Sequence, residues 1–258
     1  MILAFNKPYG VLSQFTAKGS SAPKSGASLQ SIRPAAGGKD VIYPPQSVGG
    51  SSPEDGSTQR SVAENSRSNL CTARLRDHLT QQQSGQRTLA AFGFPKHVYP
   101  IGRLDWDSEG LLLLSDEKEW NDLLLHPRHA HERTYHVQVE GLISEAALSR
   151  LREGVMIQNR RTKPCSVKIL KDPRYPPRCP PIRFRLSVPT CWIELKLIEG
   201  KNRQVRRMTA AVGFPTLRLI RTAIGAYASG DLPEGKWREL GISQRQLLTG
   251  GGRARKVS

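Results

Sequence analysis

The sequence GRLDWDSEG places four ionisable side chains within seven residues, directly before an apolar run at residues 111–114. These side chains are Arg103, Asp105, Asp107 and Glu109. Charged groups beside a buried strand are costly unless they are paired. A carboxylate at a rigid strand end can act as a nucleophile, a general base or a metal ligand. The spacing alone leaves a structural interpretation equally open, in which the aspartates cap turns and Arg103 pairs with one of them.

A metal site is disfavoured at this segment. Metal ligation requires more converging carboxylates or histidines, and the nearby His126, His129 and His131 lack the common zinc spacing. The four cysteines form no C-x-x-C pair, which argues against a structural zinc site and a disulfide framework. We therefore expect no metal, and reduced thiols in a cytoplasmic protein.

Two further segments carry candidate groups. The segment KNRQVRR begins a predicted helix, whose amide dipoles favour anions. Its basic residues are Lys201, Arg203, Arg206 and Arg207. These side chains can contact phosphates, or an arginine can turn inward to hold a carboxylate, although a solvated helix face is the ordinary alternative. Tyr135 alternates with polar neighbours in RTYHV and therefore faces either the core or a cleft.

Positive charge is concentrated in the second half of the chain. The formal net charge is +17; residues 1–127 carry 13 basic and 12 acidic side chains, whereas residues 128–258 carry 26 and 10. A uniformly basic coat would not divide in this way, and an incidentally basic surface stays open as the ordinary alternative. We predict a polyanion-binding face, with nucleic acid as the partner. There is no apolar run of about 18 residues, so we expect no membrane-spanning helix.

The hydrophobic patterns predict an α+β fold with a largely antiparallel sheet, because β-α-β alternation is absent. Strands are expected on both sides of a turn at 7–10, and near 98–101, 111–115, 133–140, 155–158, 165–171, 182–188, 191–198, 216–221 and 223–228. Helices are expected at 116–126, 144–153 and 202–212, with Ser144 as an N-cap and Gly154 as a stop.

Low-complexity sequence interrupts this pattern after residue 16. Residues 17–84 hold 13 Ser, 7 Gly and 5 Pro. Such a composition buries too little apolar surface to offset its ordering entropy. We predict an insertion that is disordered over residues 17–68 and has a short amphipathic helix near 70–83. One folded domain is expected from 1–16 and 85–245, followed by a basic flexible tail at 246–258.

The motif order resembles a known family. GRLD-x-D-S-x-GLLLLS, TYxVxVEG and EGKNRQVRRM, in this order, resemble the RsuA-type family of rRNA pseudouridine synthases, and the stretch from PPIRF to IGAY is similar to its large-subunit rRNA pseudouridine synthase E group. The resemblance covers residues 2–16 and 86–242. It implies a catalytic domain of two subdomains on a mixed, mainly antiparallel sheet with flanking helices. It also implies isomerisation of a uridine, in 23S rRNA, without a metal or organic cofactor.

Several partners and features follow from the resemblance as expectations. Ribosomal RNA is the expected partner, and a monomer is the expected state. Many members carry an N-terminal RNA-binding module of the S4 type. This sequence starts within the catalytic motifs, so we expect no S4 domain.

The resemblance also implies roles for individual residues. Asp105 matches the essential aspartate, which acts as the nucleophile, and Tyr135 matches the tyrosine that stacks against the flipped base. Arg206 matches the basic residue that pairs with the aspartate. Arg103 matches the motif arginine near the flipped nucleotide.

We also expect particular surroundings for the remaining charged residues of these motifs. Lys201, Arg203 and Arg207 are expected to contact RNA phosphates. Asp107 and Glu109 are expected to face a neighbouring loop or solvent. Two other classes stay open from the residues alone: a catalytically silent rRNA-binding or ribosome-assembly factor, and a metal-dependent nuclease that uses the three carboxylates of the GRLDWDSEG segment.

Overall fold

The computed structural model describes residues 1–16, 87–183, 185 and 187–249. The expected insertion at 17–84, including its helix near 70–83, lies outside the described residues, as do residues 250–258 of the expected tail. Within the described ranges, no helix is both long enough and apolar enough to cross a membrane.

The described part of the chain contains eleven strands and four α-helices. The strands are β1 (Ile2–Lys7), β2 (Tyr99–Pro100), β3 (Glu109–Ser115), β4 (Arg133–Glu140), β5 (Met156–Ile157), β6 (Arg160–Arg161), β7 (Ser166–Leu170), β8 (Thr190–Leu197), β9 (Thr216–Ile224), β10 (Tyr227–Ala228) and β11 (Trp237–Glu239). The helices are α1 (Glu119–Leu125), α2 (Glu145–Glu153), α3 (Gln204–Ala211) and α4 (Ile242–Leu248), with 3₁₀ turns at Leu89–Phe92 and Pro127–His129.

Nine strands form one mixed sheet. Seven follow the order β11-β1-β3-β9-β4-β8-β7, while β2 pairs with β3 and β10 pairs with β9. Only β3 and β9 pair in parallel among these strands; every other pair is antiparallel. The expectation of an α+β fold with a mixed, mainly antiparallel sheet is confirmed.

Alternation in the sequence determines which side chains the sheet buries. Tyr135 and Val137 of β4 lie opposite Leu195 and Ile193 of β8, and all four are buried on the same face. Helices α2 and α3 cover this face. Ser144 caps α2 as expected, because its hydroxyl oxygen accepts a hydrogen bond from the Ala147 amide at 3.3 Å.

The other half of the sheet is covered on both faces. Leu111 and Leu113 of β3 pack into one apolar cluster, and Leu112 and Leu114 pack into another. A strand with two covered faces needs no polar positions, which explains the four consecutive leucines.

Several predicted elements differ from the structure. Residues 11–16 form no strand, and Leu12 makes only an isolated bridge to Thr88. The described residues of 182–188 form no strand of the sheet. The expected pair at 216–228 is one long strand and the short β10. Helix α4 continues to the buried Leu248, past residue 245, where we expected the tail to begin.

Candidate active site

A cavity of about 480 Å³ lies on the face of the sheet formed by β4 and β9. Its walls come from these strands and from the segments 101–105, 124–131 and 197–205. Asp105, Tyr135 and Arg203, which are far apart in the sequence, all line it. A cavity of this size is typical of small-molecule sites and is large enough for one nucleotide.

The turn that carries Asp105, residues 102–108, lies between β2 and β3. The Ser108 amide donates to the Asp105 carbonyl at 3.1 Å and closes this turn. Next to it, Gly110 has φ +97°, and a Cβ there would lie 2.3 Å from the Arg221 carbonyl oxygen. Glycine at this position therefore permits the close parallel pairing of β3 with β9, which places Arg221 beside the turn.

Asp105 is the less restrained of the two aspartates in this turn. Its side chain is 33% exposed, and the nearest cation is Arg203, with Nη1 3.9 Å from Oδ2. The same Arg203 binds Asp107 with both ends of its guanidinium, at 3.1 Å and 2.8 Å. An oxygen of Asp105 therefore faces the cavity without a short hydrogen bond from Arg203, which suits a nucleophile.

Arg206 does not pair with Asp105, which corrects the expected contact. Its Nη2 donates to the backbone carbonyl of Asp107 at 2.6 Å, and its Nε lies 3.3 Å from the Asp107 carboxylate. The Nε approach is an ion pair without hydrogen-bond alignment. Arg206 therefore holds the turn from behind and does not line the cavity.

Asp107 does not face solvent as expected. Its side chain is 23% exposed and lies between Arg203 and Arg206. Burial opposes ionisation of this carboxyl, but the hydrogen bonds from Arg203 and the charge of Arg206 together lower its pKa.

Glu109 is also buried, contrary to expectation. The Arg218 guanidinium donates to it through Nε at 2.9 Å and Nη2 at 2.7 Å. Both side chains are at most 10% exposed. This ion pair joins the start of β3 to β9 and is consistent with a structural role.

Tyr135 lies in the cavity wall, where its ring can stack on a base. It is 9% exposed.

Arg221 also lines this wall, although its position was not predicted from the sequence. Its Nε donates to the Leu111 carbonyl at 2.8 Å, and its Nη2 has no partner among the described residues. Burial lowers the pKa of Arg221, and the nearby Tyr135 hydroxyl opposes that shift. The sequence feature that could have identified Arg221 is its charge within the otherwise largely apolar strand pattern TLRLIRTAI.

The other expected RNA-binding residues are divided between the cavity and the outer surface. Arg103 and Lys201 line the cavity, and so does Lys163, which the sequence analysis did not identify. Arg207 lies outside the cavity and contacts Gln158 of the β5–β6 turn.

The predicted helix near Asn202 begins only at Gln204. The Gln204 side-chain oxygen accepts from the Lys201 amide at 2.9 Å, and its amide nitrogen donates to Glu199 at 2.5 Å. The Lys201 amide and the Gln204 side chain, at the N-terminal end of α3, therefore already have hydrogen-bond partners within the protein. Across the described ranges, no three His, Cys, Asp or Glu side chains converge in a way that could hold a metal ion.

Comparisons with known proteins identify the family of this chain. The model of the RNA pseudouridylate synthase family matches residues 1–211. The chain belongs to this family. Its members are isomerases, and the chain is accordingly a pseudouridine synthase, as the motif order indicated.

Curated relatives support this assignment, and a solved structure shares the fold. The chain is 44% identical over 207 residues to "Ribosomal large subunit pseudouridine synthase E" of Vibrio vulnificus, which covers 76% of the chain and 88% of the relative. It is 51% identical over 154 residues to the protein of the same name from Xanthomonas campestris pv. campestris, which covers 59% of the chain and 82% of that relative. A solved pseudouridylate synthase has the same fold, with a TM-score of 0.59 at 22% identity, over 96% of this chain and 73% of that one.

Proposed function

We propose that this pseudouridine synthase isomerises one specific uridine of 23S rRNA in the large ribosomal subunit, with Asp105 as the nucleophile. The observation that carries the proposal is that Asp105 and Tyr135 line one nucleotide-sized cavity. The names of the relatives from Vibrio and Xanthomonas favour large-subunit rRNA as the substrate.

The target uridine must leave its stack before it can enter this cavity, at a cost of a few kcal/mol. Arg103, at the cavity rim, is exposed and suited to occupy the vacated space or to hold the backbone. Tyr135 supplies a flat face for the base. Lys163 and Lys201 provide positive charge for the flanking phosphates.

In the proposed reaction, a carboxylate oxygen of Asp105 attacks either the ribose C1′ or the pyrimidine ring. The bond from C1′ to N1 breaks, the base rotates, and a bond forms from C1′ to C5. The bond between the substrate and Asp105 also breaks, which releases the carboxylate. The proton at C5 then leaves, and N1 gains a proton, so the product is an isomer of the substrate. Arg203 and Arg206 keep the turn of Asp105 in place through Asp107.

The proposal also divides the chain into a catalytic unit and an insertion. We propose that residues 1–16 and 85 onward, through the end of α4, form the catalytic unit and that residues 17–84 are an insertion into it. The chain on either side of the insertion is joined by backbone hydrogen bonds, as the Leu12 amide donates to the Arg87 carbonyl at 2.9 Å.

Tritium release from large-subunit rRNA labelled at uridine C5 tests the proposal. We expect release without added metal, and pseudouridine mapping should locate a single site. A silent RNA-binding protein would release no tritium, and a nuclease would cut the strand. RNA affinity should fall by about three to five decades between 50 and 200 mM salt if about 6–10 phosphates are contacted. A flat salt response would contradict the predicted basic face.

A further inference from the structure

Three side chains from distant segments stack beside the turn of Asp105. The Arg178 guanidinium lies 4.0 Å above the centre of the Tyr9 ring. The Tyr9 ring lies 5.0 Å from the Trp106 ring, centroid to centroid, at an angle of 57°. The Gly10 amide donates to the Trp106 carbonyl at 2.9 Å and joins the two turns. All three side chains are partly exposed, and we call them the stacking platform.

None of these side chains has a part in the isomerisation described above. Trp106 directly follows Asp105, so its Cα lies about 3.8 Å from that of the proposed nucleophile. RNA that delivers a flipped uridine to Asp105 must therefore bring its neighbouring nucleotides close to the platform. We propose that the stacking platform binds the base of a nucleotide adjoining the target uridine. This inference rests on the proposed function.

Base flipping creates the need for such a surface. When a uridine leaves the stack, the adjacent base loses a stacking partner. Aromatic side chains and arginine planes replace such partners in single-stranded RNA recognition, whatever the base. Trp106 supplies an aromatic ring, and Arg178, which stacks on Tyr9, adds a planar cation that also attracts phosphate.

Arg178 is held in place for this role. Its Nε and Nη2 donate to the carbonyls of Pro180 and Pro181 at 2.8 and 3.0 Å, so the guanidinium plane is fixed over Tyr9. Burial lowers the pKa of Arg178, and the charges of the nearby Glu109 and Asp107 carboxylates oppose that shift.

The segment that carries Arg178 is fastened to the sheet. The Arg218 Nη1 donates to the Pro176 carbonyl at 2.8 Å, and the Tyr175 hydroxyl lies 2.7 Å from His136 Nδ1. The segment joins β7 to β8 and carries five basic side chains and one acidic side chain over residues 171–189. The platform is therefore preorganised, which reduces the ordering cost of binding.

Single-turnover tritium release from C5-labelled large-subunit rRNA tests the inference on four variants: Trp106→Ala, Trp106→Phe, Tyr9→Ala and the control Trp192→Phe. Trp192 contacts Tyr175 and lies outside the platform. For Trp106→Ala and Tyr9→Ala we expect the half-saturating RNA concentration to rise about 10-fold to 100-fold. The rate at saturation should change less than about threefold. Trp106→Phe, which keeps a ring, and the control should behave like the wild type.

A structural role would give a different result. If the stack only fastens the 171–189 segment, Trp106→Ala should lower the melting temperature and the saturated rate, with an unchanged half-saturating concentration; that result would overturn the inference. A wild type that releases no tritium would refute the proposed function instead. The platform would then be judged by binding of single-stranded oligouridylate, where equal affinity of the wild type and Trp106→Ala would refute it too.

Discussion

Arg206 pairs with Asp107 and not with the proposed nucleophile, Asp105. Its Nη2 donates to the Asp107 carbonyl at 2.6 Å, and its Nε lies 3.3 Å from the carboxylate. Arg203 holds the same carboxylate from the cavity side. Arg203 and Arg206 therefore hold the turn that carries Asp105. Because Arg206 acts on Asp105 only through this turn, it is a positioning residue.

Removal of Arg206 should reduce the reaction rate more than RNA binding. In Arg206→Ala the turn loses its support, and a displacement of about 1 Å at the nucleophile can cost about 100-fold in rate. The control is Arg207→Ala on the same helix, which should weaken RNA binding with little change in rate at saturation. Single-turnover kinetics separate the two effects. A loss of binding in Arg206→Ala with an unchanged saturated rate would make Arg206 a phosphate contact.

Asp105→Asn should abolish activity while the protein still folds. The amide has the same shape but is a poor nucleophile, and the change creates no core cavity. RNA affinity should hold or increase slightly, because a negative charge leaves a basic surface. Asp107→Asn should keep some activity but melt at a lower temperature, because it leaves Arg203 and Arg206 without their carboxylate. Tritium release and thermal melting on both variants test this, and an active Asp105→Asn would refute the assignment.

Glu109→Gln should destabilise the fold strongly. It leaves Arg218 buried without a counterion, and breaking a buried ion pair in this way costs about 3–5 kcal/mol. The exposed pair of Asp231 with Arg238 is the matched control, and Asp231→Asn should leave the unfolding free energy unchanged within error. Urea unfolding measures both. Equal effects of the two substitutions would show that burial does not control the strength of the Glu109–Arg218 pair.

Lys7 should make stability depend on pH above neutrality. Its side chain is fully buried and donates to the carbonyls of Pro8 and Val11. Burial lowers its pKa to about 7, although nearby carboxylates, with Glu109 foremost, oppose the shift. In the unfolded chain the pKa is about 10.4, so between these values the unfolded state binds the extra proton. Stability should therefore rise with pH in this window.

Urea unfolding at pH 7, 8 and 9 tests this dependence against Lys7→Met. The wild type should gain up to about 1.4 kcal/mol per pH unit relative to the variant, whatever the absolute stabilities. The comparison removes the contributions of other groups that titrate in this range. Parallel curves for the two proteins would show that Lys7 stays protonated in the folded state.

Replacement of residues 17–84 by a four-residue linker should preserve the fold and most of the activity. The flanking segments are held together by the Leu12 amide on Arg87 and the Leu89 amide on the Gln14 carbonyl, both at 2.9 Å. A short connection can therefore span them. Circular dichroism and tritium release test the variant. A fold that is intact but inactive would show that the insertion takes part in catalysis.

Elements with strong periodicity, and membership of the family, could be predicted from the amino-acid sequence. β4 has the predicted bounds, and α2 has the predicted cap, because alternation and capping are local properties of the chain. The short elements β11 and α4 were not predicted: the three residues of β11 carry too little periodic signal, and α4 extends into the stretch that was expected to be a flexible tail. Long and specific motifs indicated the pseudouridine synthase family.

Which charged groups meet depends on the packing of the folded chain. Spacing within GRLDWDSEG could not reveal that Arg203 and Arg206 hold Asp107, or that Glu109 is buried with Arg218, about 110 residues away in the sequence. Such contacts depend on the parallel pairing of β3 with β9 and on the position of α3 above them. Local sequence specifies a side chain's chemistry, whereas its partner and its burial follow from the packing of distant elements, where small differences in distance change the electrostatic energy steeply.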